Sequence, residues 1–139
     1  MHETALRPRR VILVAAQLGD TTDAELGESL AELGRLATTL GHEVVARVTQ
    51  KRGSPDPGHY LGTGKLAELK ALVEADTGDL LLVDHELSPS QARNLEKTTG
   101  ADVLDRTAVI LDIFQRHARS RAARAQVEIV RLEYLTPRL

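Results

Sequence analysis

The chain has 139 residues, which is enough for one compact domain but not for two. Aromatic residues make up 2% of it, which argues against a single-strand nucleic-acid platform built from stacked rings. It has no cysteine, which excludes disulfides and thiolate metal sites. Because no apolar run approaches the ~20 residues of a membrane span and no apolar signal core opens the chain, we expect a soluble, cytoplasmic protein.

The net charge of −2 is distributed unevenly. Residues 11–105 carry eight Lys or Arg against sixteen Asp or Glu, whereas residues 106–139 carry seven Arg against three acidic residues. Residues 1–10 add three Arg and one Glu. This asymmetry indicates an acidic globular body with a basic end that suits an anionic partner, although a solvated helix face has the same composition.

Strands and helices alternate in the first part of the chain. Residues 11–16 are an apolar run without alternation, which is typical of a strand buried on both faces of a parallel sheet. Apolar residues then recur at helical spacing over residues 26–40, and Gly41 ends that helix. Residues 43–49 form the pattern of a second strand, and residues 50–60, with two prolines and two glycines, that of a loop.

The alternation continues in the second part. Residues 63–77 have helical periodicity, and residues 79–84 have the composition of another buried strand. Ser88 and Gln91 are spaced as a capping box, and Pro89 occupies the first helical position between them. These signals predict a helix that begins after Ser88 and ends near residue 100.

A last short strand is predicted at residues 102–105, after which Asp105 or Thr107 opens a long helical segment. The strict alternation implies βαβ units with right-handed crossovers. We therefore predict an α/β fold: a small four-stranded parallel sheet flanked by helices and followed by a helical C-terminal arm, which is an incomplete helical hairpin.

The predicted organisation has three parts. Residues 1–10 are expected to be a flexible basic N-terminus, residues 11–106 the parallel α/β subdomain, and residues 107–139 the helical arm.

The end of the arm is apolar around much of its helical circumference. A helix of this kind needs to be covered on more than one side, and the sequence contains no further segment to cover it. This pattern predicts a homodimer, in which two such helices bury the residues that we expect at the contact: Val127, Val130, Tyr134 and Leu135.

Gly62-Thr-Gly-Lys65 invites interpretation as a phosphate-binding loop, because glycines before a helix expose backbone N–H groups. The spacing of a Walker A loop is not met, since His59 stands where the first glycine is required and Leu66 replaces the magnesium-binding hydroxyl. Gly62, Gly64 and Lys65 are left as candidates for a weak nucleotide or anion site. The alternative is a tight turn followed by an exposed cation.

Asp84-His85-Glu86 follows a predicted strand, at the edge where parallel sheets place their binding crevice. Two carboxylates and an imidazole are suited to acid–base or metal chemistry. However, no second histidine lies at a ligand spacing such as i+4. A loop with helix-capping carboxylates is the alternative, and we predict no catalytic and no metal-binding residue.

Basic residues make the stronger case for a binding function. The arginine fork forms bidentate hydrogen bonds with phosphate, and each phosphate contact makes binding salt-dependent. These basic residues are consistent with two interpretations, contact with RNA or an ordinary solvated surface. The candidate nucleic-acid-binding residues are Lys51, Arg52, Arg93, Arg106, Arg116, Arg119, Arg121 and Arg124.

Three motif stretches carry a resemblance to a known family. The first is Arg47-Val-Thr-Gln-Lys-Arg52 leading to Tyr60-Leu-Gly-Thr-Gly-Lys65, and the second is Glu86-Leu-Ser-Pro-Ser-Gln-Ala-Arg-Asn-Leu-Glu-Lys97. The third is Val103-Leu-Asp-Arg-Thr107 with Ile110-Leu-Asp-Ile-Phe114. Together with the closing residues 126–139, they resemble the N-terminal domain of the HflX family of ribosome-associated GTPases.

The resemblance implies a parallel α/β subdomain, a two-helix antiparallel arm and then a GTPase domain. Members of this family bind the large ribosomal subunit and separate stalled or idle ribosomes during stress. It also implies that GTP and magnesium belong to the GTPase domain, so that no cofactor is expected in this chain. ATP binding through the N-terminal region, reported for some members, makes the Gly62–Lys65 turn a candidate site.

The sequence departs from the family pattern because it contains neither the GTPase domain nor the second helix of the arm. We therefore expect a non-catalytic HflX-like module that binds the large ribosomal subunit or its rRNA, with the missing GTPase domain as a partner if the chain is a fragment. The alternative is a stand-alone protein-interaction or scaffold domain, dimeric or peptide-binding, in another pathway.

Overall fold

The computed structural model describes residues 8–139, which form a single parallel sheet covered by helices on both faces. This confirms the predicted α/β fold. Its strands and helices, in chain order, are β1 (Arg10–Leu18), α1 (Asp23–Thr39), β2 (Glu43–Arg52), α2 (Thr63–Glu74), β3 (Leu80–Val83), α3 (Pro89–Thr99), β4 (Asp102–Asp105), α4 (Arg106–His117) and α5 (Arg121–Leu135). A 3₁₀ turn over Thr136–Arg138 follows.

The central strands are apolar throughout because both of their faces are covered. Side chains of alternating residues in β1 point to opposite faces, so Ile12 packs towards α2 and α3 and Leu13 towards α1, α4 and α5. In β3, Leu81 and Leu82 divide between the two faces in the same way. The sheet thus separates two apolar cores.

The strand order is β2-β1-β3-β4, and all three pairings are parallel. The chain leaves β1 for β2 in one direction and then crosses to β3 on the other side of β1. The topological switch point therefore lies between the carboxyl ends of β1 and β3, where open parallel sheets usually form their binding crevice.

The capping box predicted at Ser88 is present, and the structure shows further helix caps. The Ser88 side chain accepts a hydrogen bond from the Gln91 backbone N–H, and the Gln91 side chain accepts one from the Ser88 N–H. Thr22 and Glu25 form a second capping box at the start of α1. Asp105 caps α4 by accepting a hydrogen bond from the Ala108 N–H at 2.9 Å.

The end of β2 differs from the prediction. Lys51 and Arg52 were expected in the loop, yet they continue the strand and pair with Gln17 and Leu18 of β1. The reason is that β1 continues to Leu18, beyond its apolar run of residues 11–16. The backbone hydrogen bonds between β1 and β2 therefore extend further than the hydrophobic pattern does. Both basic side chains are therefore held at the carboxyl edge of the sheet.

The predicted flexible N-terminus falls mostly on residues 1–7, which lie outside the described residues. Arg9 and Arg10 are described and belong to the folded domain: Arg10 begins β1, and the Arg9 backbone N–H donates to His42 Nδ1 at 3.1 Å.

The C-terminal segment is helical, as predicted, but it consists of two helices rather than one long helix. Ala118 has an extended backbone, and the Ser120 side chain accepts a hydrogen bond from the Ala123 N–H to begin α5. The chain reverses at this point, and α5 packs back along α4. Within residues 8–139, no helix combines the length and apolarity that crossing a bilayer requires.

Candidate nucleic-acid interface

The basic residues predicted from the sequence fall into two groups at opposite edges of the sheet. Lys51, Arg52 and Arg106 lie at the carboxyl ends of β2 and β4. From there, α4 runs back along the sheet for 12 residues, a length of about 18 Å, and brings Arg116 towards the amino edge. A single RNA contact surface that includes all predicted residues is therefore not formed.

Four arginines surround the turn between α4 and α5, and we call this surface the basic corner: Arg116, Arg119, Arg121 and Arg124. All four are exposed, and among residues 8–139 no carboxylate lies within ion-pair distance of any of them. Their charges are thus available to an anionic partner.

Helix stability does not account for these arginines. Arg121 and Arg124 lie at the start of α5, where the partial positive charge of the helix dipole disfavours cations, and the first turn of α5 has no acidic residue. Arg116 alone, in the last turn of α4, is placed where the dipole favours a cation.

Arg106 and Arg93 are engaged within the domain. The Arg106 guanidinium forms ion pairs with Asp84 and with Glu32, the latter at 2.7 Å. Arg93 donates a hydrogen bond to the carbonyl oxygen of Pro137, which joins α3 to the C-terminal turn. Because these contacts hold elements of the fold together, we leave both arginines out of the proposed interface.

The Gly62–Lys65 turn has a packing role. The Gly62 N–H donates to Gln50 Oε1 at 2.9 Å, so one amide of the predicted anion site already has a partner. A Cβ at Gly62 would lie 2.9 Å from the Arg52 guanidinium, so a larger residue there would require this flexible side chain to move. Lys65 Nζ lies 3.4 Å from Glu68 on the same helix. Gly64 faces open space.

Asp84 anchors a polar network at the carboxyl end of β3. One of its carboxylate oxygens accepts a hydrogen bond from Ser29 Oγ at 2.7 Å, and the other accepts from Arg106 Nε at 3.0 Å. The carboxylate is thus occupied by structural partners. Among the described residues, no group of histidine and acidic side chains is arranged to hold a metal ion.

A buried tyrosine orients His85. The Ala16 N–H donates to Tyr60 Oη at 2.8 Å, and Tyr60 Oη lies 2.5 Å from His85 Nδ1. Among the described residues, Nδ1 is the one acceptor within hydrogen-bonding distance of the buried hydroxyl's proton. Donation of that proton to Nδ1 places the imidazole proton on Nε2. Burial lowers the pKa of His85, with Arg106 adding to the fall and Asp84 opposing it, so the ring is neutral at pH 7.

This contact was missed from the sequence, since Tyr60 and His85 are 25 residues apart. The available signal was a lone tyrosine in an otherwise aliphatic core.

The apolar face of α5 is partly covered by the domain itself, and the four residues predicted at the dimer contact differ in burial. Leu135 is 5% exposed because it belongs to the core under α4, and the Tyr134 hydroxyl donates to the Asp105 carboxylate. The domain itself covers these two side chains. Val127 is half-buried, and Val130 is 51% exposed.

A buried ion pair joins α5 to α4. Arg131 Nε donates to Asp112 Oδ1 at 2.6 Å, and these side chains are 10% and 2% exposed. Burial raises the pKa of Asp112, while the hydrogen bond and charge of Arg131 oppose that rise. Arg131 also pairs with Glu128 one turn earlier, at 2.9 Å.

Comparison with known proteins places these features in one family. The family described as GTP-binding GTPase N-terminal matches residues 27–115. The GTPase HflX of Gluconacetobacter diazotrophicus is 44% identical over 164 residues, covering 92% of this chain and 36% of that protein. The GTPase HflX of Escherichia coli is 40% identical over 119 residues, covering 86% of this chain and 28% of that protein. The chain therefore spans about a third of the length of these curated relatives.

Solved structures have the same fold. A GTP-binding protein from the hyperthermophilic archaeon Sulfolobus solfataricus, in complex with GDP, matches with a TM-score of 0.69 at 24% identity, over 94% of this chain and 38% of that one. The catalytic domain of an IS607-like serine recombinase matches with a TM-score of 0.51 at 19% identity, over 87% of this chain and 95% of that one. At these identities the likeness establishes fold alone.

Proposed function

This chain belongs to the HflX family of GTPases, as an N-terminal domain, and on that premise we propose that it is a non-catalytic module that binds rRNA of the large ribosomal subunit. The observation that carries the proposal is the basic corner. Its four arginines are exposed, are free of ion pairs within residues 8–139, and lie where the α5 dipole disfavours two of them.

The chemistry of the basic corner fits RNA better than a protein surface. Arginine binds phosphate through two parallel N–H groups, and several arginines around one turn can contact successive phosphates of one strand. Binding of this kind releases counterions and weakens steeply with salt. The exposed rings of Phe114 and His117 adjoin the corner, so stacking on a base can accompany contact with the RNA backbone.

Co-sedimentation with purified large ribosomal subunits, at low and at high salt, tests the proposal. We expect the chain to sediment with the subunits at low salt and to be released at high salt. The triple variant Arg116→Ala, Arg119→Ala, Arg124→Ala should lose this binding, because three phosphate contacts are removed. Each lost contact should also lower the slope of log affinity against log salt concentration by about one.

A matched control distinguishes the effect of losing the basic corner from the effect of lowering the net charge. The triple variant Arg35→Ala, Lys70→Ala, Lys97→Ala removes the same charge from exposed positions on α1, α2 and α3 and should bind as the unmodified chain does. If both triple variants lose binding equally, the interaction is non-specific. If the unmodified chain ignores subunits at low salt, the scaffold alternative is favoured.

We place GTP binding and hydrolysis in the part of the full-length protein that this chain does not contain. We propose that GTP and magnesium are used by the GTPase portion of the full-length protein, which would then be the partner of this domain, and that this chain does not hydrolyse GTP. ATP binding at the Gly62–Lys65 turn stays a prediction. The engagement of the Gly62 N–H with Gln50 leaves that turn fewer free donors.

A homodimer through α5 also stays a proposal, on a smaller surface than the sequence predicted. Exposed apolar side chains remain on the two C-terminal helices: Phe114, Ile129 and Val130, at 57%, 56% and 51% exposure. We expect sedimentation velocity to detect a dimer at high micromolar concentration, and the double variant Ile129→Asp, Val130→Asp to abolish it. A monomer at every concentration would contradict the proposal.

A further inference from the structure

Two adjoining grooves run along the carboxyl edge of the sheet, at the topological switch point. The first has a volume of about 410 Å³ and lies over the ends of β1 and β2, where Lys51 and Arg52 line it. The second has a volume of about 280 Å³ and lies over the ends of β1 and β3, where His85 lines it. Thr21 lines both, so we treat them as one surface, the carboxyl-edge groove.

One end of this groove suits a phosphate. Lys51 is exposed, and among residues 8–139 no carboxylate pairs with it. Arg52 lies beside it, with Nε bonded to the Ser54 carbonyl oxygen at 3.0 Å. Gly19 and Gly53 complete this end, and a Cβ on either would meet no atom within 4 Å, so the backbone there is open to a ligand.

The other end suits an uncharged hydroxyl. Tyr60 holds His85 in the tautomer that carries its proton on Nε2, so the ring is a neutral donor rather than a cation. Glu25 lines the same end, and although one of its carboxylate oxygens accepts from the Thr22 N–H, the other can serve as an acceptor. A hydroxyl both donates and accepts, so a donor beside an acceptor matches it, whereas the carboxylate would repel a phosphate there.

We propose that the carboxyl-edge groove binds one sugar–phosphate unit of single-stranded RNA, with the phosphate at Lys51 and Arg52 and the ribose 2′-hydroxyl at His85. This inference rests on the proposed function and adds to it a second contact, remote from the basic corner. No Phe, Tyr or Trp lines either part of the groove among the described residues. Recognition is therefore of the backbone, and the 2′-hydroxyl distinguishes RNA from DNA.

The test is fluorescence anisotropy with a labelled, mixed-sequence single-stranded 12-mer as RNA and as DNA of the same sequence. We expect the unmodified chain to prefer RNA by about three- to tenfold, the value of one or two hydrogen bonds. His85→Asn keeps an oxygen near the position of Nδ1 for Tyr60 but removes the Nε2 donor. It should lower RNA affinity to that of DNA.

Lys51→Ala is the companion variant, and it should weaken RNA and DNA alike while lowering the salt slope by about one. Circular dichroism and thermal unfolding of each variant establish that the fold is intact. A second variant, His85→Gln, places an amide N–H near the position of Nε2 and should retain part of the RNA preference.

The outcomes separate this inference from the proposed function. RNA binding that depends on the basic corner but is unchanged in His85→Asn and Lys51→Ala would overturn the groove proposal and leave the proposed function intact. Failure of the unmodified chain to sediment with large subunits would overturn the proposed function, whereas its failure to bind either oligonucleotide would overturn the groove proposal. Micromolar binding of adenosine monophosphate, lost in His85→Asn and unaccompanied by any RNA preference, would assign the groove to a free nucleotide and overturn it too.

Discussion

Arg131→Ala is expected to lower the free energy of unfolding by about 3–5 kcal/mol, a large part of the ~5–15 kcal/mol that stabilises a typical domain. The loss arises because Asp112, at 2% exposure, would keep a buried charge with no partner. Its pKa, already raised by burial, would rise further, and the carboxyl would be driven towards its neutral form. Urea unfolding followed by far-ultraviolet circular dichroism measures the change.

The control removes both charges. In Asp112→Leu, Arg131→Leu no charge is left uncompensated, and such replacements of buried pairs are often neutral or stabilising. We expect the double variant to recover most of the lost stability. A loss below about 1 kcal/mol in Arg131→Ala, the value of an exposed ion pair, would contradict the burial of this contact.

Asp105→Ala is expected to cost about 3–5 kcal/mol as well, for a different reason. The carboxylate caps α4 at the Ala108 N–H, accepts from the buried Leu87 N–H at 2.9 Å, and accepts from the Tyr134 hydroxyl. Alanine would remove the cap and leave a buried backbone donor without a partner, and each of these losses is costly. The urea midpoint should fall with little change in the slope of the transition.

Two further variants show how much each hydrogen bond of Asp105 contributes to the expected loss of stability. Asp105→Asn keeps an oxygen that can cap α4, so it should lose less than Asp105→Ala. Tyr134→Phe removes the contact with α5 alone and should cost about 1 kcal/mol, the net value of a typical hydrogen bond. If Asp105→Ala were no worse than Tyr134→Phe, Asp105 would not be the residue that joins the Leu87 loop, α4 and α5, as the structure indicates.

The stability losses expected for Arg131→Ala and Asp105→Ala both arise where α5 packs against the rest of the domain. Sequence patterns did not predict this packing. The apolar stripe of α5 predicted a partner helix, and Tyr134 and Leu135 instead meet the chain's own core. The charge count places Arg131 in the basic end of the chain, whereas the structure shows it buried and paired with Asp112. An apolar helix face predicts that the face is buried, but it does not predict which part of the protein buries it.

The candidate interface was predicted in part. The charge count singled out the arginines after residue 105, and four of them lie exposed together at the basic corner. The same count could not separate them from Arg106, which forms ion pairs with Asp84 and Glu32. Those partners are 22 and 74 residues away in the sequence, so no local pattern reports them.

By itself, the sequence determined the alternation of strands and helices, the parallel sheet, the capping box at Ser88 and the family. These features depend on residues a few positions apart, whose hydrophobic period and hydrogen-bonding groups act within one element. The tertiary structure decided the return of α5, the tautomer of His85 and the separation of the basic residues between two edges. Each of these depends on side chains that meet only after the sheet has formed, because the order and direction of its strands set which distant residues come within hydrogen-bonding distance.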